Sequence, residues 1–304
     1  MRIVLIGQAA FGEKVLQTLT DRGKEIVSVY TTPDAPGKVN PLKELAVQSG
    51  IPTFQPKGMQ APEVYTEYMK LKPDLNIMAY VTEIVPEGIL NYPKLGTIQY
   101  HPSLLPKHRG GSAINWAIIN GETKTGITIF WPDRGIDTGP VLLQKEVDIT
   151  PDDTVGSLYF NKLFPLGIEA IVESLGLIEK GIAPRIPQDE SRATYEGLCT
   201  EKDAIINWSQ PVTKIYNLIR GTNPQPGAIT HFQDRRFKVF DSELLAGKGE
   251  RLAGKVVNIT EQGFAVAATN GTILVKRVQI KGSPKVSAVE FAEQVSLKVG
   301  DRLK

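Results

Sequence analysis

The residues best placed to do chemistry lie between Gln99 and Pro140. The run Gln99-Tyr100-His101-Pro102-Ser103-Leu104-Leu105-Pro106 sits at the end of an expected strand, and Lys107-His108-Arg109-Gly110-Gly111 reads as a loop. A histidine at the carboxyl end of a strand, followed by two prolines and a glycine pair, suits a cleft better than a core. Asp137 lies in a second loop, between Gly135 and Gly139. Both residues are placed to converge on one cleft edge. The three histidines, His101, His108 and His231, have no metal-ligand spacing, and no metal is expected. His108 reads as a surface loop residue, and Arg109 as either an anion contact or a solvated side chain. The single cysteine, Cys199, excludes an internal disulfide and reads as a spare small residue.

The elements that must position these loops alternate. Apolar runs at Ile3–Ile6, Glu25–Tyr30, Asp74–Tyr80, Thr97–His101, Gly126–Trp131 and Val141–Val147 are separated by helical patterns. That alternation predicts an α/β fold with a doubly wound, mostly parallel sheet. Such sheets bind ligands beyond the carboxyl ends of their strands. Asp152–Lys180 is expected as one long amphipathic helix, capped by Asp152, Asp153 or Thr154 and stopped by Gly181. After Gly227 the period changes to two, with strands at Arg236–Phe240, Gly254–Ile259, Phe264–Ala268 and Thr272–Val278 and a hairpin signal at Asn270-Gly271. These predict a small antiparallel β-barrel of the OB type. The expected organisation is a catalytic domain over 1–182, a linker over 183–204 and a C-terminal domain over 205–304.

At 304 residues the chain has room for two domains. Its net charge of +2 hides an asymmetry. Residues 205–304 hold 15 Lys and Arg against 8 Asp and Glu, while residues 1–204 hold 20 against 25. A basic C-terminal domain suits either a polyanionic partner such as RNA or a merely solvated surface. No apolar run approaches the roughly 20 residues of a membrane span, and the N-terminus reads as a buried strand, so a cytoplasmic protein is expected. Gly7-Gln8-Ala9-Ala10-Phe11-Gly12 opens like a dinucleotide fingerprint, but Ala9 stands where the second glycine should be and no acidic residue closes the second strand. Nucleotide binding there is disfavoured.

Several segments resemble one enzyme family: His101-Pro102-Ser103-Leu104-Leu105-Pro106, Ile136-Asp137-Thr138-Gly139, Thr194-Tyr195-Glu196-Gly197, Ile206-Asn207-Trp208 and Ile219-Arg220-Gly221. They resemble the 10-formyltetrahydrofolate-dependent formyltransferases, which include methionyl-tRNA formyltransferase and the amino-terminal hydrolase domain of 10-formyltetrahydrofolate dehydrogenase. The wording of His101–Trp116 and Phe130–Gln144 looks closer to the hydrolase domain.

The resemblance implies an enzyme that takes the formyl group from 10-formyltetrahydrofolate and passes it to water or a small amine, releasing tetrahydrofolate. It implies His101 as donor to the oxygen of a tetrahedral intermediate and Asp137 as the group that orients it and helps move the proton. Folate would contact Met78, Ala79, Tyr80, Val81, Glu83, Ile84, Val85 and Pro86, lying against Asp133 and Gly135. Ser103, Leu104, Leu105, Pro106, Arg109 and Gly110 would line the substrate side. Where the family's transferases carry asparagine, this chain has Gln99, whose extra methylene moves the amide by about an ångström. The loop that the tRNA enzyme uses on the acceptor stem corresponds to Thr32–Leu42, shorter here and with one lysine, Lys38. Methionyl-tRNA, reached through the basic C-terminal domain, is therefore the second acceptor, and a nucleotide-sugar amine a third. A folate- or RNA-binding protein without turnover is the reading from another class.

Overall fold

In a computed structural model, residues 1–245 and 252–304 are described. They divide into two units, each built from separate stretches of chain: Met1–Gly110, Gly126–Val147 and Asn161–Tyr195 form one, and Gly111–Thr125, Asp148–Phe160 and Glu196–Lys304 the other.

The first unit is organised by a seven-stranded sheet. Its strands are β1 (Arg2–Gly7), β2 (Glu25–Tyr30), β3 (Thr53–Phe54), β4 (Leu75–Ala79), β5 (Thr97–His101), β7 (Lys124–Phe130) and β8 (Val141–Asp148), while β6 (Arg109–Gly110) pairs with β9 (Tyr195–Glu196). The order is β3-β2-β1-β4-β5-β7-β8, parallel from β3 to β5 and antiparallel between β5 and β7. β1 and β4 are apolar over nearly their whole length because helices cover both faces of a parallel sheet. The helices of this part are α1 (Ala9–Asp21), α2 (Pro41–Gln48), α3 (Pro62–Lys70) and α4 (Glu87–Leu90). Gly7 is required where β1 passes β4, since a Cβ there would lie 2.6 Å from the Ala79 carbonyl oxygen. The loops after β1, β2 and β4 line a small cavity of about 10 Å³, with Gly7, Gln8, Thr31 and Tyr80 among its walls.

The helix expected over Asp152–Lys180 runs from Val155 to Glu179, with one π-helical turn inside it. After α5 (Ala113–Ile119), α6 covers Val155–Leu158, a π-helical turn covers Tyr159–Leu163, and α7 covers Phe164–Glu179. Pro165 explains the π-helical turn: it has no N–H to give the preceding turn, so the regular α-helical ladder is interrupted there. Thr154 is the N-cap, in a reciprocal capping box with Ser157. The stop at Gly181 stands, with a φ of +69°.

The second unit is antiparallel. After α8 (Val212–Gly221) come β10 (Ala228–Phe232), β11 (Arg235–Leu245), β12 (Val256–Thr260), β13 (Gly263–Ala268), β14 (Gly271–Ile280), β15 (Val286–Ser287) and α9 (Ala288–Gln294). The order is β10-β11-β14-β13-β12, and β15 adds to β14. Leu303 bridges Phe232 beside β10 and Arg302 bridges Lys255 beside β12, so the chain's last residues bond both edges of the sheet. The core beneath it includes Phe237, Phe264, Val266, Val275 and Phe291, with Phe237 and Phe291 centroids 4.4 Å apart. Asn270, at φ +66°, turns the β13–β14 hairpin where Ala268 faces Gly271. Among the described residues no helix is long and apolar enough to cross a membrane.

Candidate active site

β5 delivers His101 at its carboxyl end, and its neighbours fix it in register: Gln99 faces Met78 on β4 and Phe130 on β7, and His101 faces Thr128. Alternation along the strand puts Gln99 and His101 on one face. His101 is 5% exposed and Asp137 8%. His101 Nδ1 lies 3.5 Å from Asp137 Oδ2, and Nε2 is 2.8 Å from the His108 carbonyl oxygen. A carbonyl only accepts, so Nε2 carries a proton; a second proton, on Nδ1, would face the carboxylate.

Asp137 is held from several sides. The Gly110 N–H donates to its Oδ2 at 2.8 Å. Its backbone has a φ of +56°, the left-handed region, which aspartate tolerates better than most residues. Gln188 Nε2 donates to the carbonyl oxygens of Asp137 at 2.8 Å and Gly139 at 2.7 Å. A Cβ on Gly139 would fall 1.8 Å from the Trp131 carbonyl oxygen, so this loop lies tight against its own start.

The loop after β5 is built from its own side chains. Ser103 is fully buried and its hydroxyl donates to the Lys107 carbonyl. The Leu105 N–H donates to Thr128 Oγ1, the Leu105 carbonyl accepts from Gln144 Nε2, and the Leu105 side chain is buried. Leu104 and Pro106 are half-buried. His108, expected at the surface, is 3% exposed, because the turn folds under Thr194, whose Oγ1 accepts from the His108 N–H. Arg109 is also buried, at 6% exposed. Its guanidinium forks onto Glu190 at 2.8 and 2.6 Å and onto Gln188 Oε1 at 3.2 and 2.9 Å. Hydrogen bonding to Glu190 raises the Arg109 pKa, and the same bond lowers that of Glu190. The solvated alternative for Arg109 is thus excluded, and most of its donors have partners within the protein.

A cavity of about 280 Å³ opens beside these residues, lined by Arg109, Ile136, Thr138, Ala193, Thr194 and Tyr195. The stretch beyond β4 gives a different surface. Met78, Ala79 and Val85 are buried, Val81 and Pro86 are half-buried, and Tyr80, Glu83 and Ile84 are exposed. Tyr80 has a φ of +61°. Asp133 and Gly135 are exposed, and Asp133 Oδ1 accepts from the Gly135 N–H and the Thr138 hydroxyl, shaping the loop that leads to Asp137. The structure thus brings His101, Asp137 and Gly110 together, with Gln99 on the same strand face. Burial pushes the pKa of the Cys199 thiol up to about 11.

Sequence reasoning missed Gln188 and Glu190. They lie in the polar run Pro187-Gln188-Asp189-Glu190, which has the composition of a solvated linker and no pattern that sets it apart.

Residues 1–175 match the Formyl transferase family and residues 199–296 match Formyl transferase, C-terminal domain. The mouse cytosolic 10-formyltetrahydrofolate dehydrogenase is 42% identical over 305 residues, covering 96% of this chain and 34% of that protein. The chain therefore spans about a third of the length of the dehydrogenase relatives it matches. The methionyl-tRNA formyltransferase of Alkaliphilus oremlandii is 37% identical over 309 residues, covering 100% of this chain and 99% of that protein. Among solved structures, HypX from Aquifex aeolicus in complex with tetrahydrofolic acid shares the fold at a TM-score of 0.70 and 19% identity, covering 99% of this chain and 48% of that one. With both segments matched and a relative similar from end to end, the chain belongs to the formyl transferase family.

Proposed function

We propose that this protein takes the formyl group from 10-formyltetrahydrofolate and gives it to an acceptor, water first and small amines second, releasing tetrahydrofolate. One observation carries the reading: a histidine and an aspartate, both more than nine-tenths buried, face each other 3.5 Å apart at the end of β5. Attack on the formyl carbon gives a tetrahedral centre whose oxygen becomes anionic, and a donor fixed in a dry site stabilises that charge more than water would. His101 supplies the donor, its Nε2–H passing from the His108 carbonyl to the developing oxyanion. Asp137 holds the imidazolium and accepts the proton that leaves the attacking water or amine. Collapse expels the folate N10, which takes up that proton, and no covalent enzyme intermediate forms. The folate lies along Met78–Pro86, with Tyr80 and Ile84 offering exposed apolar surface and Asp133 and Gly135 shaping the facing loop.

Gln99 shares the strand face of His101 and keeps an amide, but carries it about an ångström farther out than asparagine would. A misplacement of that size is costly to a transfer step, which favours water over a positioned amine. Transfer to methionyl-tRNA is the second reading, favoured by the end-to-end similarity to a methionyl-tRNA formyltransferase and by the positive C-terminal domain. The test is tetrahydrofolate release from 10-formyltetrahydrofolate with and without methionyl-tRNA. Equal release in both arms is expected. Release only with tRNA, with formyl-methionyl-tRNA appearing, would replace the first reading by the second, and no release in either arm or with an added small amine would leave a folate- or RNA-binding protein without turnover.

A further inference from the structure

We propose that Gln188 is a positioning residue for Asp137: its side-chain amide braces the loop that aims the carboxylate, and the Arg109–Glu190 pair braces Gln188 in turn. The inference rests on the reading of Asp137 given above. A side-chain amide offers two N–H donors and one oxygen with two lone pairs. Gln188 uses all of them. Nε2 donates to the Asp137 and Gly139 carbonyls at 2.8 and 2.7 Å, and Oε1 accepts from Arg109 Nε and Nη2 at 3.2 and 2.9 Å. Arg109 cannot swing away, because it is 6% exposed and its fork closes on both oxygens of Glu190.

The loop needs such a brace. Asp137 sits at φ +56°, a conformation that persists only where its surroundings hold it. Its carboxylate has one backbone anchor, the Gly110 N–H, and a 3.5 Å separation from His101 that is longer than a hydrogen bond. His101 is fixed by sheet register, whereas Asp137 lies in a loop, so the relative placement of the pair depends on what fixes the loop. Gln188 grips it at two carbonyls on either side of Thr138. A shift of about 1 Å in a reacting group can cost about 10²-fold in rate.

Gln188→Glu isolates this role. It keeps an oxygen for Arg109, so the Arg109 side of the brace survives, and it replaces the two donors to the loop by a group that only accepts. Thermal unfolding, kcat and the KM for 10-formyltetrahydrofolate are measured on the full chain, together with amide hydrogen exchange at Gly110, whose N–H reports on the Asp137 carboxylate without any turnover. The expected result is a kcat lower by about 10- to 100-fold, a KM within about threefold, a melting temperature within a few degrees, and Gly110 exchange faster by about tenfold. Gln188→Ala should match the loss of kcat while melting lower. Unchanged Gly110 exchange overturns the inference whatever the enzyme's turnover. If the unaltered protein releases no tetrahydrofolate, the reading of function fails, while the exchange measurement still decides whether Gln188 places Asp137. A Gln188→Glu protein whose loss appears in KM with kcat unchanged would also overturn it.

Discussion

Asp137→Asn is the sharpest perturbation of the catalytic reading. Asparagine tolerates the left-handed backbone of position 137 and is nearly isosteric, so the loop keeps its path. What disappears is the negative charge 3.5 Å from His101 Nδ1. With both groups under a tenth exposed, an effective dielectric constant of about 20 gives roughly 5 kcal/mol of attraction to the imidazolium at this distance. At 1.36 kcal/mol per decade that corresponds to a loss of about 10³- to 10⁴-fold in kcat, at the upper end of the range of about 10² to 10⁴ that a positioned acid or base contributes. The folded state loses much less. The Gly110 N–H exchanges a carboxylate acceptor for a neutral one, a difference of about 1 kcal/mol, or a few degrees in melting temperature. Single-turnover release of tetrahydrofolate, followed alongside binding of unformylated folate, separates the two effects. A variant that keeps kcat within tenfold of the starting protein would refute the role of Asp137.

Three further outcomes follow from named contacts. Gln99→Asn should raise the ratio of amine formylation to hydrolysis by about tenfold, measured with an amine and water competing in one reaction, because it draws the amide back toward the His101 side of the strand. Gly139→Ala should destabilise the protein by about 2 kcal/mol or more in urea unfolding, since its Cβ would fall 1.8 Å from the Trp131 carbonyl oxygen, and that backbone must move. Glu190→Gln should flatten the acid limb of stability: Arg109 lowers the folded-state pKa of Glu190, so the stabilisation is full above the unfolded value near 4.3 and fades as pH falls through the lower folded one. Melting curves of the two proteins should therefore converge below about pH 4, and a gap that widens there would show that another group governs the limb.

The sequence is legible where one principle dominates. Thr97–His101 and Glu25–Tyr30 occur with the bounds their apolar runs suggest, because a strand buried on both faces has little choice of register. The two-residue β3 and the short α5 carry too few residues to show a period, and Ala228–Phe232 hides behind the turn at Gly227. The apolar spacing over Asp152–Lys180 continues on both sides of Pro165, so the π-helical turn that the missing N–H causes leaves no mark in the sequence pattern. Segments 111–125 and 148–160 group with the C-terminal strands, a pairing that exists only in three dimensions. At the site, the types of His101 and Asp137 were readable, but the burial of His108 and Arg109 was not. It depends on Thr194 and Glu190, some 80 residues farther along the chain.

That distance explains how the two halves of the site should respond to change. His101 is held by β5, whose backbone is bonded to strands on both sides, so substitutions in β4 or β7 that disturb it must also disturb the sheet and will register first as lost stability. Asp137 is held by the Gly110 amide of β6 and by the Gln188 side chain, neither of which belongs to the main sheet. Substitutions there can move the carboxylate by a fraction of an ångström while the core stays packed. Rate and stability should therefore separate along the chain: residues under the sheet set whether the protein folds, and a polar stretch that reads as linker sets how well the folded protein aligns its acid with its histidine.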